Sequence, residues 1–219
     1  MRLRRRHRSP ARPDPLVDRR RGAGLVVQLH GYGAGPLQFT TLLPLSVGAT
    51  IVPPFGPDVV PPGRGWWVPD DRPDGLVELA PATAVDAAVA DVITVTTAWQ
   101  AHLGVGPAAT ALVGYSQGAG LALEVLARRP DLVGAVATAA GFLLPGAVVE
   151  AATPGSVLVA NGSLDPIVTT ADHDDTVRRL RAAGHDVTSR RDAVPHVIDL
   201  EQAAAIDTHL VRFFTDAPA

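Results

Sequence analysis

"LVGYSQGAG", Leu112–Gly120, is the stretch on which the reading of this chain turns. Ala108 to Val113 is an apolar run of strand length, and Gln117 to Arg129 has the spacing of a buried helix. Ser116 stands at the junction, in the spacing Gly114-x-Ser116-x-Gly118. A sharp strand-to-helix turn leaves little room for neighbouring side chains, which the two glycines satisfy. The turn lifts the Ser116 hydroxyl off the end of the strand, and the helix that follows aims its first N–H groups at the same spot.

Outward from this point, short apolar runs alternate with helical patterns. Strands are predicted over residues 24–29, 49–52, 132–139, 156–160 and 185–190, and helices over 36–46, 82–103, 169–183 and 199–214. Residues 15–21 are a weak candidate for an edge strand. Residues 53–81 carry eight prolines that break every regular period, and are predicted to be one long loop packed through Trp66 and Trp67. The alternation predicts an α/β domain: a mostly parallel sheet with helices on both faces and no large cap. Sites in such sheets form beyond the carboxyl ends of the strands.

Composition narrows the function classes. Of 219 residues, 47% are hydrophobic and 19% charged, which is globular. There is no cysteine, hence no disulfide, thiolate ligand or thiol nucleophile; a reducing cytoplasm is the expected compartment. No histidine pair has metal-ligand spacing, so no metal site is expected. All basic residues are arginines, and nine of them crowd residues 1–22 against only Asp14 and Asp18. An Arg- and Pro-rich end of this kind rarely packs, and no apolar run follows it as an export signal requires. Residues 1–22 are therefore expected to be a tail, or translation read from too early a start, and 23–216 a single domain. Nucleic-acid binding is not expected of the acidic body. The uncharged stretch Leu132–Val149 is interrupted by Gly134, Gly141, Pro145 and Gly146 and reads as strand plus loop, not as a membrane span.

Four strand ends carry the chemistry: "HGYGAG" (30–35), "GYSQGAG" (114–120), "NGSLDPIV" (161–168) and "DAVPHVI" (192–198). Together they supply Ser116, Asp165 and His196 in that order. A serine hydroxyl needs a base to become nucleophilic, histidine has the pKa for it, and an acid holds the imidazole's tautomer. The order Ser, Asp, His on a strand–helix fold is the α/β-hydrolase order. The two backbone N–H groups of an oxyanion hole are expected from Gln117 and, in the loop after the first strand, Tyr32. Asp70, Asp71, Asp172, Asp174, Asp175 and Asp192 are rival acids, disfavoured by position. His30 is expected to pack under the site, His173 to lie on an acidic surface, and His102, His185 and His209 to be structural.

These motifs, with "GWWVPD" (65–70), resemble the phospholipase/carboxylesterase family of α/β hydrolases, over residues 24 to 215. The resemblance implies a cofactor-free serine hydrolase acting on carboxylic esters of short to medium acyl chains, and in some members of the family on thioesters. It implies Ser116 as nucleophile, Asp165 as acid, His196 as base, and Trp66 as a site-lining residue. Trp67, Phe142 and Leu143 are assigned to the substrate wall by position. The partner implied is a small-molecule ester, and the expected assembly a monomer or homodimer. A lactonase or perhydrolase on the same fold, or a non-catalytic binder that kept the fold, are the alternatives.

Overall fold

The computed structural model describes residues 24–69, 82–149 and 153–216. The arginine-rich head, the candidate strand at 15–21 and the rivals Asp70 and Asp71 lie outside the described residues. In chain order the elements are β1 (Gly24–Leu29), α1 (Pro36–Leu42), β2 (Ala49–Val52), β3 (Asp58–Val60), β4 (Gly63–Gly65), α2 (Ala82–Leu103), β5 (Thr110–Tyr115), α3 (Gln117–Arg128), β6 (Ala135–Ala139), β7 (Ser156–Gly162), α4 (Thr170–Ala182), β8 (Asp186–Asp192) and α5 (Leu200–Asp216).

Among the described residues, six strands form one parallel sheet in the order β2-β1-β5-β6-β7-β8. β1, β2 and β6 are buried along their whole length, as continuous apolar runs covered on both faces require. Alternate residues serve opposite cores. Leu25, Val27 and Leu29 join Leu112 and the inner sides of α2, α3 and α4. Val26, Ala111 and Val113 join Phe39 of α1 and Ile206 and Leu210 of α5. α3 lies over the sheet centre, with every residue from Gly118 to Ala127 buried. Its one buried acid, Glu124, pairs with Arg128 at 2.8 Å.

After β2 the chain leaves one side of β1, and β5 enters on the other. The strand order reverses there, and the crevice above β1 and β5 is where such a sheet builds a site. The loops after these two strands carry Tyr32 and Ser116.

Some boundaries differ from the sequence reading. α1 stops at Leu42 instead of running to 46, because Pro44 pushes Leu43 out of helical geometry (φ −126°, ψ 76°). β5 begins at Thr110 after a 3-10 turn over Pro107–Ala109, and β6 begins at Ala135. The proline-rich stretch is not wholly irregular: β3 and β4 form an antiparallel hairpin around the cis Pro61–Pro62 bond, with Val59 opposite Arg64. Among the described residues no helix is long and apolar enough to cross a membrane.

Candidate active site

Ser116 occupies φ 52° and ψ −117°, a left-handed geometry that a non-glycine residue adopts at a cost of about 1–3 kcal/mol. The surroundings hold it there. Its N–H donates to Ala139 O at 3.0 Å on the neighbouring strand, and its carbonyl accepts from the N–H groups of Ala119 and Gly120 at 2.9 and 3.1 Å. A Cβ at Gly114 would overlap the Gly118 carbonyl, and one at Gly118 the Leu29 carbonyl. The glycine spacing is thus a packing requirement of the turn.

The structure brings Ser116, His196 and Asp165 into one hydrogen-bonded chain. Ser116 Oγ lies 2.8 Å from His196 Nε2, and His196 Nδ1 donates to Asp165 Oδ2 at 2.7 Å. The second oxygen, Oδ1, accepts from the N–H groups of Ile167 and Val168 at 2.8 and 2.9 Å. Three donors therefore fix a carboxylate whose side chain is wholly shielded from solvent, while that of His196 is 17% exposed. With Nδ1 committed to Asp165, Nε2 is left to accept the serine proton.

The four rival acids among the described residues are engaged elsewhere. Asp172 caps α4 through a reciprocal box with Thr169. Asp174 faces Arg191, Asp175 meets Arg178 and Arg179, and Asp192 pairs with Arg190. His173 corrects the sequence reading: it is 1% exposed, on the inner face of α4 with Thr176, Val177 and Leu180. Its acidic neighbours along the chain point outward; the helical period carries the histidine in.

Two features of the site escaped the sequence reading. Tyr115, next to the serine, donates its hydroxyl to His196 O at 2.9 Å with its ring 5.6 Å from the imidazole, so the turn that presents Ser116 also anchors His196. Burial and the Asp165 charge push its phenol above the usual range. Asn161, at the end of β7, clamps Gly141 with both side-chain ends, accepting from its N–H at 3.2 Å and donating to its carbonyl at 3.0 Å. An asparagine preceding "GSLD" was the available signal.

Gln117 opens α3, where the N–H has no helical partner. Gly31 lies against Ser116, for a Cβ built on it would fall 3.4 Å from Ser116 Cβ, and Tyr32 is the next residue of that loop. Beneath this loop, His30 is fully buried. Its Nδ1 donates to Gly31 O at 2.8 Å and its Nε2 accepts from Gly56 N at 3.0 Å, and burial holds its pKa below the ordinary 6.5. Trp66 stacks on it at 5.1 Å and donates Nε1–H to His30 O at 2.8 Å. Trp66 and Trp67 are 3% and 4% exposed, so both rings are taken up mainly by packing beneath the site. Leu143 is likewise buried, its N–H donating to Thr176 Oγ1 at 3.0 Å, whereas Phe142 is half-buried. Leu164 and Ile167, close to Asp165 in the chain, and Val197, following His196, are exposed apolar side chains.

Comparison with known proteins bears on this arrangement. The family model described as phospholipase/carboxylesterase matches residues 17–213. An esterase of Escherichia coli K12, YpfH, is 32% identical over 200 residues, covering 88% of this chain and 80% of its own. In fold, the chain is similar to esterase PE8 (TM-score 0.78, 24% identity, 90% of this chain and 97% of that one). It is also similar to the Bacillus cereus carboxylesterase (TM-score 0.79, 15% identity, 91% and 93%).

Proposed function

The chain belongs to the phospholipase/carboxylesterase family, a carboxylesterase-type hydrolase on an α/β-hydrolase fold, and on that premise we propose that it cleaves carboxylic esters through an acyl-enzyme on Ser116. The observation that carries this reading is the unbroken Ser116–His196–Asp165 chain, with contacts of 2.8 and 2.7 Å at the carboxyl ends of the strands.

Ser116 Oγ attacks the ester carbonyl as His196 Nε2 takes its proton. Asp165 stabilises the imidazolium and holds its orientation. The carbonyl oxygen becomes an oxyanion and accepts hydrogen bonds from the N–H groups of Tyr32 and Gln117, donors each worth about 3–4 kcal/mol in comparable sites. The tetrahedral intermediate collapses, the carbon–oxygen bond to the alcohol breaks, and His196 returns the proton to the leaving oxygen. A thioester would release a thiol by the same route. Water then gives a proton to His196 and attacks the acyl carbon, freeing the acid and restoring Ser116. Leu164, Ile167 and Val197 offer apolar contact to an acyl chain of short to medium length.

The test is the intact mass after a fluorophosphonate probe, followed by peptide mapping. A single adduct on Ser116, absent from Ser116→Ala, together with hydrolysis of short aryl esters that this substitution abolishes, supports the reading. A folded Ser116→Ala variant that hydrolyses esters at the wild-type rate overturns it.

A further inference from the structure

The two oxyanion donors sit on separate loops, one after β1 and one at the start of α3, and something must set the distance between them. Resting on the esterase reading above, we infer that the side chain of Gln117 is the positioning residue that does so. Its Oε1 accepts from Trp66 N at 2.9 Å and its Nε2 donates to Trp67 O at 2.9 Å, so one amide pairs with the backbone as a neighbouring strand would.

The segment it grips is the one that holds the other donor loop. Gly33 N donates to Arg64 O at 2.9 Å and Arg64 N to Ala34 O at 2.7 Å. Trp66 Nε1 donates to His30 O at 2.8 Å, two residues before Tyr32. Between them, Gly65 leaves only tight space for a side chain: a Cβ would lie 3.0 Å from Tyr32 Cδ2, 3.1 Å from Trp67 O and 3.3 Å from Gln117 Oε1. Gln117 thus contributes one donor through its backbone and ties down the loop bearing the other through its side chain.

The residue type follows from this geometry. The site needs an acceptor for Trp66 N and a donor for Trp67 O at the tip of one side chain, which glutamine supplies. A glutamate would set a carboxylate against the Trp67 carbonyl. An asparagine is one methylene short, and a methionine keeps the length without the bonds. Oxyanion stabilisation depends on donors held about 2.7–3.1 Å from the developing charge, so loosening their spacing weakens transition-state binding more than ground-state binding.

The test compares wild type with Gln117→Ala and the length-matched Gln117→Met on a short aryl ester. Beside it runs inhibition by an alkyl boronic acid, whose boron bonds Ser116 Oγ and places an oxygen in the oxyanion hole. The expected result is a loss of about 10- to 100-fold in kcat, a fraction of what a deleted donor costs. KM stays within about threefold, and boronate affinity falls in parallel with kcat/KM. Wild-type kcat in either folded variant overturns the inference. So does a loss confined to KM, or a loss of kcat with boronate affinity unchanged. If Gln117→Ala does not fold, Gln117→Met decides alone. Failure of the inference leaves the wild-type adduct on Ser116 intact, whereas a wild type with neither adduct nor turnover removes the esterase reading and this inference with it.

Discussion

Asp165 shows how residue identity and residue surroundings divide the work. An aspartate before a proline is more often a turn former than a catalytic acid, and six other aspartates compete for the role. What distinguishes Asp165 is its bonding: one oxygen is saturated by two backbone N–H groups and the other faces His196. Replacing it with asparagine keeps the shape but presents the wrong partner to Nδ1. Asp165→Asn is expected to lower kcat on the order of 10⁴-fold, as in other serine triads. Asp192→Asn, whose native carboxylate pairs with Arg190, is expected to leave kcat within about threefold. Steady-state kinetics of both variants on one ester checks the assignment, and the reverse ranking would move the acid role to the end of β8. That Ser116, Asp165 and His196 meet was legible because each follows a strand in a loop rich in Gly or Pro. His173 was misread because a run of acids around it looks like surface until the helix turns it inward.

α3, which follows Ser116, shows how position within one element decides a residue's tolerance. Gly118 and Gly120 are both buried in α3 and identical to a composition count, yet their surroundings differ. A Cβ at Gly118 would overlap the Leu29 carbonyl, which is backbone of the central sheet and cannot move alone. One at Gly120 would press on the tip of Leu144 at 3.3 Å and stand at ordinary contact distance, 3.5 Å, from the Phe142 carbonyl. Gly118→Ala is therefore expected to destabilise by more than about 3 kcal/mol, at the upper end of overpacking costs, or to prevent folding. Gly120→Ala, which gains about 1 kcal/mol of helix propensity, should stay within about 1 kcal/mol of wild type. Urea unfolding of the two variants separates these outcomes. The strands and long helices were legible from periodicity, since β1, β2 and β6 are buried on both faces and α3 and α4 keep the helical repeat, while the polar β8 was the faintest of the strands. The β3–β4 hairpin was not legible: three-residue strands inside a proline-rich stretch have no period to read, and their pairing rests on the Arg64 and Val59 backbones meeting across a turn.

At the scale of the whole molecule, four of the seven histidines share one setting. His30, His173, His185 and His209 sit on different elements, and burial lowers the pKa of each below the ordinary value of about 6.5. Above that value both folded and unfolded chains hold them neutral, and their full contribution to stability is present. Below it the unfolded chain binds protons that the folded chain refuses, so stability falls as pH drops toward the folded pKa values. The slope is about 1.4 kcal/mol per pH unit for each histidine still neutral in the fold. Urea midpoints at pH 7.5 and 5.5 should show a clear loss at the lower pH with the m-value unchanged. His185→Gln should reduce that pH dependence, and an equal midpoint at both pH values would contradict the account.

Sequence alone settled which groups are available: a serine at a glycine-spaced turn, an acid and a histidine after later strands, and the alternation that makes a parallel sheet. These are local properties, carried by residue type and by periods of two and 3.6. It could not settle which strands are neighbours, that β5 enters beside β1 so that Tyr32 and Ser116 share a rim, or that Gln117 reaches across 50 positions to grip Trp67. Those contacts arise only when distant segments are packed together, because hydrophobic burial is non-directional and chooses the partners only in the assembled core.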